Sequence, residues 1–370
     1  MNKKYDIAAY IWPAYTGNEL RSRMFWPEGI GEWQSVKNSK PKPCGYSWGR
    51  KPLWGYVNEA DPYVMEMEIE AAVDHGVNVF IYDWYWDDGR PFLENCLRDG
   101  FLKAKNNGKM KFYLMWANHD VNHLWNKELS DTEVGNTVIW KGSVDKPDFE
   151  KVVHHVISEF FTRENYYKIN GCPVYMIYDV NNLIRGLGGM EKTREALEYF
   201  RSETKKSGFP DLHLQITVWR ESSVNLSGFD ANMKGSTKDI VQLLGIDSVS
   251  HYQFVHFADI DRDYTEILPD VAKEWERLEK EYDVPYFPHV SCGWDNNPRF
   301  YKFRQGVVKN NTPENIEKAF RMAKEYLDRH PELPPLVTVN SWNEWTETSY
   351  LEPDDLYGYG YLDAIKKVFM

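Results

Sequence analysis

The sequence predicts a single-domain (β/α)₈ barrel with long loops after some of its strands. Short apolar runs alternate with amphipathic segments along all 370 residues, as is typical of parallel β/α folds. Eight apolar runs can be recognised. No GxGxxG phosphate loop follows the first run, which argues against a dinucleotide-binding fold. No change in composition marks a domain boundary, so we expect residues 1–370 to form one domain.

The predicted strands are short and almost continuously apolar, as in strands that are buried on both faces. In chain order they are Ile7–Ile11, Val77–Tyr82, Lys111–Ala117, Pro173–Tyr178, Leu212–Val218, Ser248–Tyr252, Pro285–Val290 and Leu336–Asn340. Stretches without a helical or strand period follow the first and third strands, so we expect long loops at about 12–60 and 118–147.

The predicted helices lie between these strands. Asp61 suits an N-cap, Pro62 suits the first helical position and Gly76 suits the end, which predicts a helix from Pro62 to His75. Apolar residues spaced three and four apart predict another helix over 264–282. The remaining predicted helices span 91–106, 148–162, 189–207, 236–244, 313–329 and 360–369.

The composition narrows the possible partners. The net charge is −12 and the basic residues form no stripe, so we expect no nucleic-acid partner. Aromatic residues make up 15% of the chain, more than packing requires, which favours a ligand that stacks on rings.

The apolar run near the N-terminus is interrupted by Pro13 and is too short for a signal peptide or a membrane span. We therefore expect a cytoplasmic location unless a leader precedes this sequence. The four cysteines fit no zinc or disulfide pattern.

Polar and aromatic residues follow every predicted strand. In a (β/α)₈ barrel the chemistry lies at the carboxyl ends of the strands, so this pattern predicts a ligand site there. The residues concerned are Tyr10 and Trp12; Asp83, Trp84, Tyr85 and Trp86; Trp116, Asn118 and His119; Tyr178 and Asp179; Trp219, Arg220 and Glu221; His251 and Tyr252; Trp294, Asp295 and Asn296; and Trp342, Asn343, Glu344 and Trp345.

The segment after the last strand carries the candidate catalytic residues Glu344 and Glu347. Paired carboxylates beside large aromatic residues are typical of glycosidases, in which one group is an acid and the other a base or nucleophile. The carboxyl groups are about 5–5.5 Å apart in retaining enzymes and about 6.5–9.5 Å apart in inverting ones, and the sequence does not determine this distance. Glu352 precedes Pro353, and we expect it to accept backbone N–H groups of its own turn.

Further residues at the strand ends are candidates for substrate binding. Tryptophans offer flat apolar faces to sugar rings, and ionised carboxylates such as Asp83 and Asp295 accept strong hydrogen bonds from hydroxyls. We expect Arg299 to pair with one of these two aspartates. The histidines show no HExxH spacing, so we expect no catalytic metal. The candidate substrate-binding residues are Tyr10, Asp83, Trp84, Trp86, Trp116, Asn118, Tyr252, Trp294, Asp295, Asn296, Trp342, Asn343 and Trp345.

Several motifs resemble the WbsX-like family, which is related to glycoside hydrolase family 99, the endo-α-mannosidase and endo-α-mannanase family. The most specific are GWDNNPR at Gly293–Arg299 and NSWNEWTETSYLEPDDLYGYGYLDA at Asn340–Ala364. GIGEWQSV at Gly29–Val36, the segment Asp61–Trp86 and KFYLMWANHD at Lys111–Asp120 agree with it. The resemblance runs in order from about residue 8 to 368, so it covers nearly the whole chain.

The resemblance implies a (β/α)₈ barrel that cleaves α-linked glycans with retention. The two glutamates of the NEWxE motif map onto Glu344 and Glu347. Glu347 would be the general acid/base. Glu344 would assist attack by the 2-hydroxyl of the substrate, which forms a 1,2-anhydro sugar. This route needs no metal or organic cofactor.

The sequence departs from the family at two places. Thr348 stands where relatives often carry glycine, and Cys44–Tyr56 replaces a loop that often contains His–Gln–Pro. Many WbsX-like proteins are labelled glycosyltransferases, yet this chain has no nucleotide-sugar motif. We therefore expect a hydrolase with an oligosaccharide or polysaccharide substrate. The alternatives are a glycosyltransferase or transglycosylase, and a non-catalytic carbohydrate-binding barrel.

Overall fold

The barrel is seen in a computed structural model that describes residues 4–42, 44–219, 224–225 and 234–370. Its parallel strands are β1 (Asp6–Ile11), β2 (Val79–Asp87), β3 (Lys111–Trp116), β4 (Cys172–Ile177), β5 (His213–Thr217), β6 (Ser248–Ser250), β7 (His289–Ser291) and β8 (Leu336–Asn340). They are hydrogen-bonded in the order β6–β5–β4–β3–β2–β1–β8–β7. A parallel bridge between Val249 and Tyr286 joins β6 to the segment before β7 and closes the ring. The predicted (β/α)₈ fold class is confirmed.

The helices pack around the sheet. They are α1 (Pro62–Asp74), α2 (Lys146–Val156), α3 (Val180–Leu187), α4 (Met190–Lys206), α5 (Thr237–Leu243), α6 (Tyr264–Glu281), α7 (Pro313–Arg329) and α8 (Gly360–Phe369). The carboxylate of Asp61 accepts a hydrogen bond from the backbone N–H of Tyr63 at 2.9 Å, so Asp61 caps α1. Shorter helices span Trp33–Lys37 and Lys127–Ser130. Among the described residues, no helix combines the length and apolar character that a membrane span requires.

The region after β2 differs from the prediction of a helix over 91–106. The chain reverses at Asp88 and Gly89, which both have positive φ, and Arg90–Phe92 pairs antiparallel with the end of β2. Only short helical turns, Cys96–Gly100 and Phe101–Lys103, follow. Because of this hairpin, β2 is longer than predicted and reaches Asp87. The predicted seventh strand is shifted to His289–Ser291, and Arg220 and Glu221 lie outside the described residues.

The two predicted long loops lie at the carboxyl end of the barrel. The first supplies Trp12 at the end of β1 and Glu32 just before the helix Trp33–Lys37. The second contains a small hairpin, Val121–Asn122 with Val138–Trp140. It also supplies Trp125, whose ring meets that of Trp12 edge to face at 5.1 Å. These loops build the wall of the site described next.

Candidate active site

A pocket of about 280 Å³ opens at the carboxyl ends of the barrel strands, where the sequence predicts the site. A volume of this size is close to the lower end of the range for small-molecule sites, about 300–1,000 Å³. Its lining residues are Trp12, Asp83, Tyr85, Met115, Ala117, His119, Trp125, Tyr178, Asp179, Trp219, Tyr252, Arg299, Glu344 and Glu347.

Glu344 and Glu347 both line this pocket because a tight turn connects them. Trp345–Glu347 is a single 3₁₀ turn, and in 3₁₀ geometry side chains three apart lie above one another. The turn ends at Thr348, which has φ +53°, a conformation that glycine adopts more readily. The Thr348 hydroxyl donates to the carbonyl of Asp295 at 3.1 Å and accepts from the Trp48 indole at 2.7 Å. These bonds hold the turn although a threonine, and not a glycine, has the positive φ angle.

Arg299 joins the two glutamates. Its Nη2 donates to Glu344 Oε1 at 2.6 Å, and its Nη1 donates to Glu347 Oε1 at 2.6 Å. Its Nε donates to a third buried carboxylate, Glu32 Oε1, at 2.9 Å. Glu32 also accepts from the indole of Trp12 at 2.5 Å. The prediction that Arg299 pairs with Asp83 or Asp295 is wrong, since its three carboxylate partners are Glu32, Glu344 and Glu347.

Burial governs the protonation of the pair. Desolvation raises the pKa of Glu344 well above its ordinary value, repulsion from Glu347 adds to the rise, and Arg299 opposes it. Desolvation also raises the pKa of Glu347, again against the attraction of Arg299. Two carboxyl groups that repel each other in a buried site lose their protons in separate steps, which suits a pair that acts as an acid and a base.

Asp83 and Tyr252 form the opposite side of the pair. The Tyr252 hydroxyl donates to Asp83 Oδ2 at 2.8 Å, and it lies 3.4 Å from Glu344 Oε2. Burial raises the pKa of Asp83 well above its ordinary value, which the hydrogen bond from Tyr252 opposes. Asp83 Oδ1 is buried and has no hydrogen-bond partner among the described residues.

Trp219 is the most exposed aromatic residue of the pocket lining, with 42% of its surface accessible. Its ring stacks on the His256 imidazole, with centroids 3.8 Å apart and planes inclined by 6°. Burial lowers the pKa of His256 to about 3, so that imidazole is neutral at physiological pH. A flat, supported and exposed indole at a pocket mouth has the geometry of a sugar-stacking platform.

Three of the predicted binding tryptophans lie on the other face of the sheet. The Trp84 indole donates to Glu94 Oε1 at 2.9 Å and stacks with His155, and Trp86 packs on the same histidine. Trp116 packs against Phe149 of α2. Side chains alternate along a strand, so Asp83 and Tyr85 face the pocket while Trp84 and Trp86 face the helices. These three tryptophans are therefore not part of the pocket.

Three predicted residues of the NEWxE segment are buried behind the pocket and do not line it. The indole of Trp342 donates to Glu68 Oε2 at 3.0 Å, and the indole of Trp345 donates to Glu352 Oε2. The side chain of Asn343 bonds the backbone of Trp12 in both directions, at 2.8 and 2.9 Å. The prediction that Glu352 accepts backbone N–H groups of its own turn is wrong, since its observed donor is the indole N–H of Trp345.

The other predicted binding residues support or flank the pocket. Tyr10 is fully buried, and its hydroxyl donates to the carbonyl of His251 at 3.1 Å. Asn118 links the ends of β3 and β4 by two hydrogen bonds with the backbone of Asp179. Trp294 and Asp295 line a separate cavity of about 170 Å³, and Asn296 directly precedes the 3₁₀ turn that carries Arg299. Of the predicted substrate-binding residues, only Asp83 and Tyr252 line the main pocket together with the glutamates.

Several pocket residues were absent from the predicted binding set. Tyr85, Tyr178 and Trp219 follow strands, so their position was a usable signal, but the facing side was unknown. Trp125 of the lining, and Glu32, which lies behind it on Arg299, come from the long loops, where no periodicity indicates direction. Among the described residues, the only group of three or more potential metal-ligating side chains consists of Glu59, Glu68 and Glu352, which do not line this pocket.

The barrel matches the folds of solved structures. The endo-α-mannosidase of family 99 from Bacteroides thetaiotaomicron superposes with a TM-score of 0.61 at 13% identity, over 100% of this chain and 96% of that one. A structure described as a glycoside hydrolase-like protein superposes with a TM-score of 0.59 at 15% identity, over 100% and 94% of the two chains. At these identities the likeness concerns the (β/α)₈ fold alone.

The sequence comparison gives the family. The profile described as Glycosyltransferase WbsX matches residues 7–365, so the chain belongs to the WbsX family. The uncharacterized protein WxcX of Xanthomonas campestris pv. campestris is 24% identical over 349 residues. That match covers 93% of this chain and 46% of WxcX, so the chain spans about half the length of the curated relatives it matches.

Proposed function

We propose that this protein is a glycoside hydrolase that cleaves α-linked glycans, mannan-like or related polysaccharides, with retention of configuration. The observation that carries the proposal is the buried pair Glu344 and Glu347, held on one turn by the Arg299 guanidinium at the floor of an aromatic pocket. A site that only binds sugars gains nothing from two repelling carboxylates, because burial of both charges is costly.

The contacts support distinct roles for the two glutamates. Glu347 Oε1 is occupied by Arg299, while Oε2 has no partner among the described residues and is free to carry a proton. Glu347 would give that proton to the glycosidic oxygen as the C1–O bond breaks. Glu344, with Oε1 on Arg299 and Oε2 near Tyr252, would take the proton of the substrate 2-hydroxyl as its oxygen attacks C1. This step yields the 1,2-anhydro sugar.

The second half of the reaction restores the pair. Glu347, now ionised, would accept a proton from the water that attacks C1, and protonated Glu344 would return its proton to the 2-oxygen. One proton circulates over the pair, in agreement with the raised pKa values of both buried groups. Inversion occurs at C1 twice, so the product retains its configuration. Asp83 and Trp219 would hold a hydroxyl and a sugar face.

A product screen tests the proposal. The purified protein is incubated with α-linked mannans, rhamnose-containing polysaccharides and related glycans, and the released sugars are identified by mass, beside Glu347→Gln. The matched control is Glu325→Gln, which changes an exposed glutamate on α7. We expect cleavage by the wild type and by Glu325→Gln, and a loss of at least about 10²-fold in Glu347→Gln. Tight glycan binding without cleavage by the wild type would instead favour a non-catalytic binding barrel.

Transfer to a second sugar is the alternative that the family's description as glycosyltransferase favours. The same 1,2-anhydro sugar could be opened by an acceptor hydroxyl in place of water. Adding an acceptor glycan to the screen separates the two outcomes. Free reducing sugar as the main product supports hydrolysis, whereas products longer than the substrate would support transfer.

A further inference from the structure

A cluster of three buried glutamates lies behind the NEWxE segment. Glu59 precedes α1, Glu68 lies on α1 and Glu352 follows the catalytic turn, and each is at most 1% exposed. One carboxylate oxygen of each lies within 4.8 Å of the other two. Among the described residues, no lysine, arginine or histidine forms an ion pair with any of the three.

Several oxygens at this cluster have no hydrogen-bond donor. Glu68 Oε1 and Glu352 Oε1 are buried without a partner among the described residues. The hydroxyl of Tyr82 is also buried without a partner, and the pKa of Tyr82 is raised by its burial and then by Cys96, Glu68 and Glu59. An unpaired buried carboxylate oxygen is costly, so oxygens without donors around one point indicate a positively charged ligand.

We propose that Glu59, Glu68 and Glu352 bind one hard divalent cation of the size of Ca²⁺. Ca²⁺ prefers oxygen ligands at about 2.3–2.6 Å, so oxygens on opposite sides of the ion are about 4.6–5.2 Å apart. The ligand oxygens of the cluster lie within 4.8 Å of one another. Three protein carboxylates around one point suit Ca²⁺, which accepts flexible geometry, better than Mg²⁺, which keeps several waters and usually takes only one or two carboxylates.

The three carboxyl groups are buried and lie within 4.8 Å of one another, so their charges repel. Three carboxylates so close together cannot all be ionised unless positive charge joins them. A divalent cation offsets two of the three charges and leaves the carboxylates deprotonated, as metal ligands must be.

The cation would position the catalytic turn without contacting substrate. Each of the three glutamates also accepts a hydrogen bond from a side chain of that segment: Glu68 from Trp342, Glu59 from Asn343 and Glu352 from Trp345. Glu344 lies between these anchored residues. Binding of the ion would therefore fix α1, the loop before it and the catalytic turn to one another.

Metal analysis and thermal unfolding of the intact chain test this inference without any activity assay. The protein is dialysed against EDTA, and its melting temperature is then measured with and without CaCl₂. We expect about one Ca²⁺ per chain after equilibration and a rise in Tm of about 4 °C at a hundredfold excess over Kd. Glu68→Gln should abolish both the bound Ca²⁺ and the rise. Glu70→Gln, an exposed position on the same helix that pairs with Lys109, should behave like the wild type.

Two results would overturn the inference. If the wild type binds no stoichiometric metal and melts at the same temperature in EDTA and in CaCl₂, protons and not a cation neutralise the cluster. If Mg²⁺ binds at one per chain and Ca²⁺ does not, the assignment of ion size is wrong. Should Glu68→Gln fail to fold, the comparison of EDTA-treated and Ca²⁺-loaded wild type still decides, because it needs no variant.

Discussion

Arg299 is the residue whose loss should damage the site most without removing a reacting group. Its side chain is only 11% exposed and touches three carboxylates that have similarly little access to solvent. In Arg299→Met the chain keeps a side chain of comparable length, but Glu32, Glu344 and Glu347 are left buried with no positive partner. Removing one partner of a buried ion pair costs about 3–5 kcal/mol, so we expect the free energy of unfolding at pH 7 to fall by about that amount.

The pH dependence of this loss identifies its cause. Without the guanidinium, the pKa values of Glu344 and Glu347, already raised by burial, rise further above those of the unfolded chain. The folded state then binds more protons than the unfolded state, so its stability falls as pH rises through this window. The stability difference between variant and wild type should therefore be largest near neutral pH and shrink as pH falls toward the unfolded value, about 4.3.

Urea unfolding at a series of pH values measures this difference. Arg299→Lys should recover only part of the stability, because an ammonium cannot donate along the three directions of the guanidinium fork. The control is Arg194→Met, which breaks exposed pairs with Glu191 and Glu198 and should cost far less, because exposed ion pairs contribute little to stability. A loss in Arg299→Met that stays constant with pH, or that is no larger than that of the control, would refute the reasoning.

Three further predictions concern the pocket and the NEWxE segment behind it. Trp219→Ala should raise KM about 3–10-fold through loss of ring stacking on the substrate, with kcat little changed. Trp116→Phe, on the opposite face of the sheet, should leave KM unchanged. Equal effects of the two variants on KM would contradict the placement of Trp219 in the pocket. Asn343→Ala removes the hydrogen bonds to Trp12 and Glu59, so it should lower the free energy of unfolding by about 2–4 kcal/mol. Urea titration measures this value, and an unchanged free energy would show that these hydrogen bonds do not stabilise the fold. The acidic limb of kcat/KM should lie above pH 4.3, the ordinary glutamate value, because burial raises the pKa of both Glu344 and Glu347; a limb below it would count against that burial.

The barrel itself could be predicted because its strands are short and almost continuously apolar in sequence. The eighth strand, Leu336–Asn340, was predicted with its observed bounds, and the helix at Pro62 carries all its local signals. The prediction over 91–106 was wrong because the turn at Asp88 and Gly89 depends on positive φ values that composition alone does not reveal. A helix or strand can therefore be predicted from its own residues where its capping residues or its apolar pattern are complete.

The lining of the pocket was harder to predict than its position. All nine residues of β2 are buried, so hydrophobicity shows no alternation that would separate Asp83 from Trp84. The tryptophans beside Glu344 look like sugar platforms in sequence, yet their indoles bind Glu68 and Glu352 behind the site. Glu32 and Arg299 meet across 267 positions of sequence, a separation that no local pattern bridges.

The most direct test of the central claim measures whether Glu344 and Glu347 act as one unit. Hydrolysis rates of Glu344→Gln, Glu347→Gln and the double variant are compared on whichever glycan the wild type cleaves, and the anomeric configuration of the first product is read by NMR. We expect each single variant to lose at least about 10²–10⁴-fold in kcat, and the double variant to be no more than about tenfold slower than the slower single variant. The wild-type product should retain its configuration. Losses that multiply in the double variant, or an inverted product, would contradict the account.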